Sequence, residues 1–236
     1  MKKALLIQPG AFGDIIVCAP IAKWYSDRGY EVTFPARKKY HSLLNSMPYV
    51  TPLELDDLDF HPDWLACDVM KCLPQAVNYD LVLNLADRGP HPLAQHTREK
   101  NQETKYRLAK VPRTEQHKLV WERNIEKENE IYDKYAPDGE YAFVHNTSSD
   151  GESIDLPNIS IPIVYNDTPE GYNIFDWYKV IKNAAEIYCT ESAIHCFCDG
   201  ILDEITEKRY LLPRKQGLGE LVTTSYFWDL RYFYED

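Results

Sequence analysis

Ala4-Leu5-Leu6-Ile7-Gln8-Pro9-Gly10-Ala11-Phe12-Gly13-Asp14-Ile15-Ile16 is the stretch whose reading decides the fold class. Its first four residues form a short apolar run, the mark of a strand buried on both faces of a parallel sheet. The loop that follows carries two glycines, which permit a tight turn and close approach of a ligand to the backbone. From Asp14 to about Asp27 the pattern predicts an amphipathic helix, with Arg28-Gly29 at its C-terminal end. Tyr30-Glu31-Val32-Thr33-Phe34 then reads as a second strand. Strand, turn, helix and strand in this order predict a doubly wound α/β sheet.

The alternation continues on both sides of a turn at Ala136-Pro137-Asp138-Gly139. Before it, helices are expected at Lys38 to Ser46 and Phe60 to Cys72, and strands at Val50 to Leu53 and Tyr79 to Asn84. The polar stretch from Gln95 to Tyr135 reads as largely helical, interrupted at Pro112. After the turn, strands are expected at Tyr141 to Val144, Ser160 to Val164, Ala185 to Cys189 and Tyr210 to Leu212, with Pro162 weakening the second. Helices are expected at Asn173 to Asn183, Glu191 to Gly200 and, rich in aromatics, Thr223 to Tyr234. The domain reading is therefore 1–136, 137–222 and a terminal helix over 223–236.

Composition narrows the function classes. The 236 residues are 44% hydrophobic and 27% charged, enough for a core and against wholesale disorder. A formal net charge of −11 argues against non-specific coating of DNA, although it leaves room for a local basic groove. Met1 to Ile7 is too short for a signal peptide, and no run reaches the about 18 apolar residues of a spanning helix. A cytoplasmic protein with free thiols is the expectation for its six cysteines.

The loop before Asp14 lies between a strand and a helix N-terminus, at the carboxyl edge of the sheet where ligands bind in such folds. Helix N-terminal amides favour negative charge there. Asp14 reads either as a plain helix N-cap or as a carboxylate facing a cleft. The glycine spacing does not fit a dinucleotide fingerprint.

These residues, with Ala19-Pro20 and the second strand Gly29 to Phe34, resemble the opening of the heptosyltransferases of glycosyltransferase family 9. Those GT-B enzymes begin with a strand, a PGAxGD loop and a helix carrying a small-Pro step. The resemblance implies two facing Rossmann-like domains, in a compact version because the chain is shorter than is usual in the family. It also implies that Asp14 is the general base and that Gly13 lies beside the donor. Ala185-Glu186-Ile187-Tyr188-Cys189-Thr190-Glu191-Ser192-Ala193-Ile194-His195 is similar to the family's strand followed by D-[ST]-G-x-x-H, with His195 one residue early. By that likeness Thr190, Glu191, Ser192, Ala193 and His195 bind the donor phosphates, although the same residues also read as an ordinary cap with a buried histidine. The loop His145 to Gly151 matches the segment facing the donor, giving Asn146, Thr147 and Ser148 as further donor contacts or as a polar surface loop. The implied partners are a nucleotide-diphosphate sugar and a hydroxyl acceptor. A saccharide is slightly favoured over a hydroxymethylated base in phage-type DNA. No cofactor or metal is expected, and inversion at the anomeric carbon is. A non-catalytic nucleotide- or sugar-binding module and a nucleotide-sugar epimerase are the competing readings.

Three weaker signals remain. Asp57-Leu58-Asp59 is a D-x-D in an acidic run with Glu54, Asp56 and Asp63, and reads as a solvated turn before it reads as a metal site. Cys189, His195, Cys196 and Cys198 lack the spacing of a zinc site and read as packing. Arg98 to Lys118 reverses the local charge. Within it Arg98, Lys100, Arg107 and Lys110 are candidate contacts for an anionic acceptor, with Lys100, Arg107 and Lys110 spaced for one helical face; a solvated, acid-paired helix is the alternative.

Overall fold

The structure is a computed structural model that describes residues 1–55, 72–86, 101–147, 151, 153–212 and 228–230. The expected helix Phe60 to Cys72 (except Cys72 itself), the D-x-D, Arg98, Lys100 and Ser148 lie outside the described residues. The chain divides into two compact units, Met1–Glu122 and Arg123–Asp236. No helix among the described residues is long and apolar enough to cross a membrane.

In the first unit β1 (Lys2–Ile7) is followed by α1 (Phe12–Ser26) and β2 (Tyr30–Arg37). A 3-10 turn at Lys38–Tyr40, the short α2 (His41–Leu44) and β3 (Val50–Leu55) come next, then β4 (Leu81–Asn84) and α3 (Asn101–Ala109). The sheet is parallel, in the order β3-β2-β1-β4. Ala4 to Ile7 are wholly buried, as a central parallel strand requires. Gly29 closes α1 with a φ of 82°, a left-handed conformation open to glycine at little cost.

The structure corrects the amphipathic reading of α1. Every residue from Ile15 to Ala22 is buried. The sheet covers one side of the helix, while α3 and the turn Arg113–His117 cover another. Tyr106 donates to the Val17 carbonyl at 3.1 Å and Tyr25 to the Ala109 carbonyl at 2.7 Å, which fasten α3 along α1.

In the second unit α4 (Ile125–Tyr135) precedes β5 (Ala142–His145) and β6 (Ile163–Tyr165). A 3-10 turn at Ile174–Trp177 leads into α5 (Tyr178–Asn183), followed by β7 (Glu186–Thr190), α6 (Ala193–Gly200), β8 (Arg209–Leu212) and β9 (Asp229–Leu230). All neighbouring strands are parallel, in the order β6-β5-β7-β8-β9. The boundary falls at Glu122–Arg123, ahead of the 136/137 turn read from the sequence, because α4 packs with this unit. The fully buried Trp177 ring lies 5.1 Å from that of Tyr135 and 6.0 Å from that of Phe143. The Arg123 guanidinium donates to the buried Glu128 carboxylate, tying the start of α4 to its first turn.

Two further expectations change. Within the span read as a terminal helix, Asp229–Leu230 is a strand paired with Tyr210 and Leu211. The buried Trp228 indole donates to Asp199 at 2.7 Å, which seats this segment at the sheet edge. The rest of 223–236 lies outside the described residues. The helix through the basic stretch stops at Ala109, so Lys110 does not continue its face. Lys110 has a φ of 55°. Its N–H bonds to the Arg107 carbonyl and that of Val111 to the Tyr106 carbonyl, both at 3.0–3.1 Å, the two bonds of a Schellman stop.

A left-handed lysine costs about 1–2 kcal/mol that glycine avoids, partly offset by the entropy of a more flexible unfolded chain. Lys110→Gly is therefore expected to raise stability by up to about 1 kcal/mol, read as a higher urea midpoint with unchanged slope.

Candidate active site

Each sheet reverses its strand order once. In the first unit the reversal lies between β1 and β4, with β2 and β3 on one side of β1 and β4 on the other. In open α/β sheets the crevice at the carboxyl ends of such a strand pair is where ligands bind. Gln8 follows β1 there, and Leu85 and Ala86 follow β4, their N–H groups both bonded to the Ile7 carbonyl.

Asp14 stands at this edge in the first turn of α1. It is not the N-cap: Ala11 holds that position in extended conformation without a side-chain hydrogen bond. The cap reading thus fails, and the carboxylate lies where the helix dipole favours negative charge. Pro9 and Gly10 are buried, whereas Ala11 and Phe12 are exposed, so the loop rises out of the core just before the helix begins. The Phe12 ring meets Tyr40 edge-on at 4.8 Å. Gly13 is half-buried beside it.

The partner of Asp14 is a residue that was one of several charges in the basic stretch. Lys105, on α3, is 1% exposed. Its Nζ donates to Gln8 Oε1 at 2.6 Å and to the Leu85 carbonyl at 2.8 Å, and lies 3.3 Å from Asp14 Oδ1. Gln8 donates in turn to the Gly10 carbonyl of the loop. Beneath them Cys18 is buried, its thiol pushed up to about 12 by burial, so it stays neutral and unreactive. Two other cations of the stretch pair with acids, Arg113 with Glu103 and Lys118 with Glu115. Arg107 and Lys110 are exposed on and just after α3.

In the second unit the reversal lies between β5 and β7, whose carboxyl ends are registered as His145 opposite Cys189. The two segments singled out for donor binding, the loop after His145 and Thr190 to Ala193, are therefore brought to one crevice. Asn146 and Ile154 fasten the base of the loop through two hydrogen bonds of 2.8 Å, and Thr147 pairs with Ser153. Ser192 is the N-cap of α6 and accepts the His195 N–H at 3.3 Å. Glu191, Ser192 and Ala193 are half-buried at the edge.

Two predicted donor residues sit deeper than the reading supposed. Thr190 is fully buried, and its hydroxyl makes no hydrogen bond among the described residues. His195 is also fully buried, its ring edge-on to Trp228 at 4.8 Å and its Nε2 4.0 Å from Asp199. The buried-histidine alternative describes its side chain, because α6 turns that face toward the segment carrying Trp228. Cys189, Cys196 and Cys198 are buried and outside any disulfide. His145 has its imidazole pushed down by burial, against an opposing hydrogen bond with Asn166.

No protein-family model matches the sequence, and comparison with curated proteins finds no match. Among solved structures the chain is similar to a glycosyl transferase family 9 protein from Veillonella parvula. The TM-score is 0.52 at 11% identity, over 90% of this chain and 80% of that one. An ADP-heptose LPS heptosyltransferase II from E. coli aligns at a TM-score of 0.43 and 10% identity, over 82% of this chain and 80% of that one. The first likeness establishes the fold in common.

Two outcomes are expected from this geometry. Removing one member of a buried ion pair strands the other, at about 3–5 kcal/mol. Asp14→Asn and Lys105→Met should each destabilise the protein to nearly that extent. The double variant should lose clearly less than the sum, as urea denaturation of all four proteins can show. Strict additivity would mean the pair is not formed.

The second concerns pH. The folded His145 resists protonation, while in the unfolded chain it titrates near 6.5. Unfolding then takes up a proton, so stability is present above that pH and declines as pH falls below it. His145→Gln should flatten the loss of stability between about pH 7.5 and pH 5, by at most about 1.4 kcal/mol per pH unit.

Proposed function

We propose that the protein is an inverting glycosyltransferase of the GT-B kind, with facing units, that moves a sugar from a nucleotide-diphosphate donor to a hydroxyl acceptor. The observation that carries this reading is a carboxylate, Asp14, held by a buried ammonium at the reversal point of the first sheet. That is the position a proton acceptor needs if the acceptor hydroxyl enters there. The shared fold with a glycosyl transferase family 9 protein supports the same reading.

The steps follow from the residues. The donor diphosphate lies at the edge of the second unit, against the N-terminus of α6 and the loop after His145, where amides and the Asn146 and Ser192 side chains meet anionic oxygens. Thr190 and His195 support this edge from within rather than touching the donor. As the acceptor oxygen attacks the anomeric carbon, the bond from that carbon to the diphosphate breaks and its electron pair leaves with the nucleotide. Amides at a helix start stabilise the charge that grows there. Asp14 takes the hydroxyl proton in the same displacement. One displacement inverts the anomeric centre. A dipole-held diphosphate gives this mechanism a route that needs no metal. Among acceptors a saccharide is favoured, because a −11 protein repels a polyanion such as DNA over most of its surface.

The test is a thermal titration with uridine, guanosine, adenosine, cytidine and thymidine diphosphate sugars, with and without Mn²⁺. A ligand that binds the folded state alone raises the melting temperature. One nucleotide family is expected to do so, and Asp14→Asn is expected to keep that shift while losing turnover by about 100-fold or more. No shift with any donor would sink the transferase reading. A shift with turnover of donor in the absence of acceptor would point to an epimerase instead.

A further inference from the structure

Lys105 is the feature that the proposed chemistry does not yet use. A fully buried ammonium has three protons to place and no water to take them. Here three oxygens from three elements receive it: Gln8 Oε1 after β1, the Leu85 carbonyl after β4, and Asp14 Oδ1 on α1. Two of these acceptors are neutral and belong to the strand ends that define the reversal point. They fix the ammonium against the sheet whatever Asp14 does, so the cation is a fixed post and the carboxylate is the group it positions.

We propose that Lys105 is the positioning residue of Asp14, its ammonium pinned by Gln8 and Leu85 so that the carboxylate is held at the sheet edge in the orientation from which it takes the acceptor's proton. The proposal rests on the reading of Asp14 as the base. It assigns Lys105 no proton transfer of its own: its three protons stay in place while the hydroxyl proton moves to Asp14. The surroundings allow this division. Around the carboxylate, α3 supplies the Lys105 charge, β1 and β4 supply the neutral Gln8 and Leu85 groups, and α1 supplies the Cys18 thiol, which stays neutral through the working range. Gln8 extends the brace to the loop itself through the Gly10 carbonyl, so the post, the loop and the helix start are one hydrogen-bonded unit.

The test begins without substrate. In protein labelled with ¹³C at the aspartate carboxyls, the NMR signal missing from Asp14→Asn identifies Asp14. In Lys105→Met that signal is expected to move from its native position at fixed pH, because the ammonium beside the carboxylate is gone. In Lys105→Arg, which keeps the charge, it should stay near the native position. An Asp14 signal in the same place in the native protein and a folded Lys105→Met overturns the proposal. Should Lys105→Met fail to fold, the native protein labelled with ¹⁵N-lysine supplies the reading. One slowly exchanging ammonium signal is expected, shifted or lost in Asp14→Asn, and its absence overturns the proposal equally.

Kinetics then separate positioning from mere support. With uridine, guanosine and adenosine diphosphate sugars as probes, Lys105→Arg is expected to lower kcat about 10- to 100-fold while the donor KM is unchanged. An unchanged kcat would overturn the positioning role. The NMR comparison stands even if no nucleotide sugar binds, and a nucleotide-sugar thermal shift stands even if the Lys105 contact is absent, so the two failures are distinguishable.

Discussion

A lysine ammonium cut off from water is among the most demanding groups a fold can bury, and the first unit is organised around satisfying one. At 3.3 Å the attraction between Lys105 and Asp14 is worth about 5 kcal/mol at an effective dielectric near 20. Desolvating the two ions costs several kcal/mol each. The attraction alone therefore does not explain why the pair persists. The two neutral acceptors, Gln8 Oε1 and the Leu85 carbonyl, supply the remainder, and they exist only where β1 and β4 lie side by side. Strand order, helix position and the buried charge thus require one another. Hydrophobic residues in place of both Lys105 and Asp14 would fill the same space more cheaply, so the energetic case for the pair has to come from what Asp14 does.

The two units solve the same topological problem with different chemistry. Both leave a crevice where parallel strands part, β1 from β4 and β5 from β7. The first unit places a carboxylate there with a cation behind it. The second places a helix start capped by Ser192 and a loop braced by Asn146, with Thr190, Cys189 and the buried His195 behind them. The second edge also carries the Glu191 carboxylate, so what suits it to an anionic ligand is its helix-start amides and hydroxyls rather than a lack of negative charge. On the proposed reading the donor therefore goes to the second unit and the acceptor to the first.

The first sheet and the place of Asp14 at its edge were legible because their signals are local. An apolar run of four, a glycine turn and a helix with its own stop lie within about thirty residues and need no long-range partner to be read. Lys105 was hidden because nothing in its neighbourhood marks it. It sits among Glu103, Thr104 and Arg107, and a charged residue in a polar helix reads as solvated. The faint signal is the spacing of Gln102, Lys105, Tyr106 and Ala109, all buried, which is a core face with a lysine on it. The helix face of α1 was misjudged for the same reason: whether a second layer covers it depends on α3, far along the chain. At the C-terminus Trp228-Asp229-Leu230 alternates with period two, a strand signal outweighed by the density of aromatics around it. The unit boundary followed the visible turn at Pro137, although the packing of Tyr135 on Trp177 sends α4 the other way.

On the proposed reading the buried cation also fixes where the base stands. Lys105 is held by Gln8 and the Leu85 carbonyl at the ends of β1 and β4, and Asp14 lies 3.3 Å from it in the first turn of α1. The carboxylate is therefore tied to the sheet through the cation as well as to its own helix, and swings less freely than one held by a helix turn alone. In a displacement whose bond breaking is assisted at the diphosphate end, the base need not be strong. It has to be in place when the acceptor arrives, and that is the condition a fixed ammonium serves.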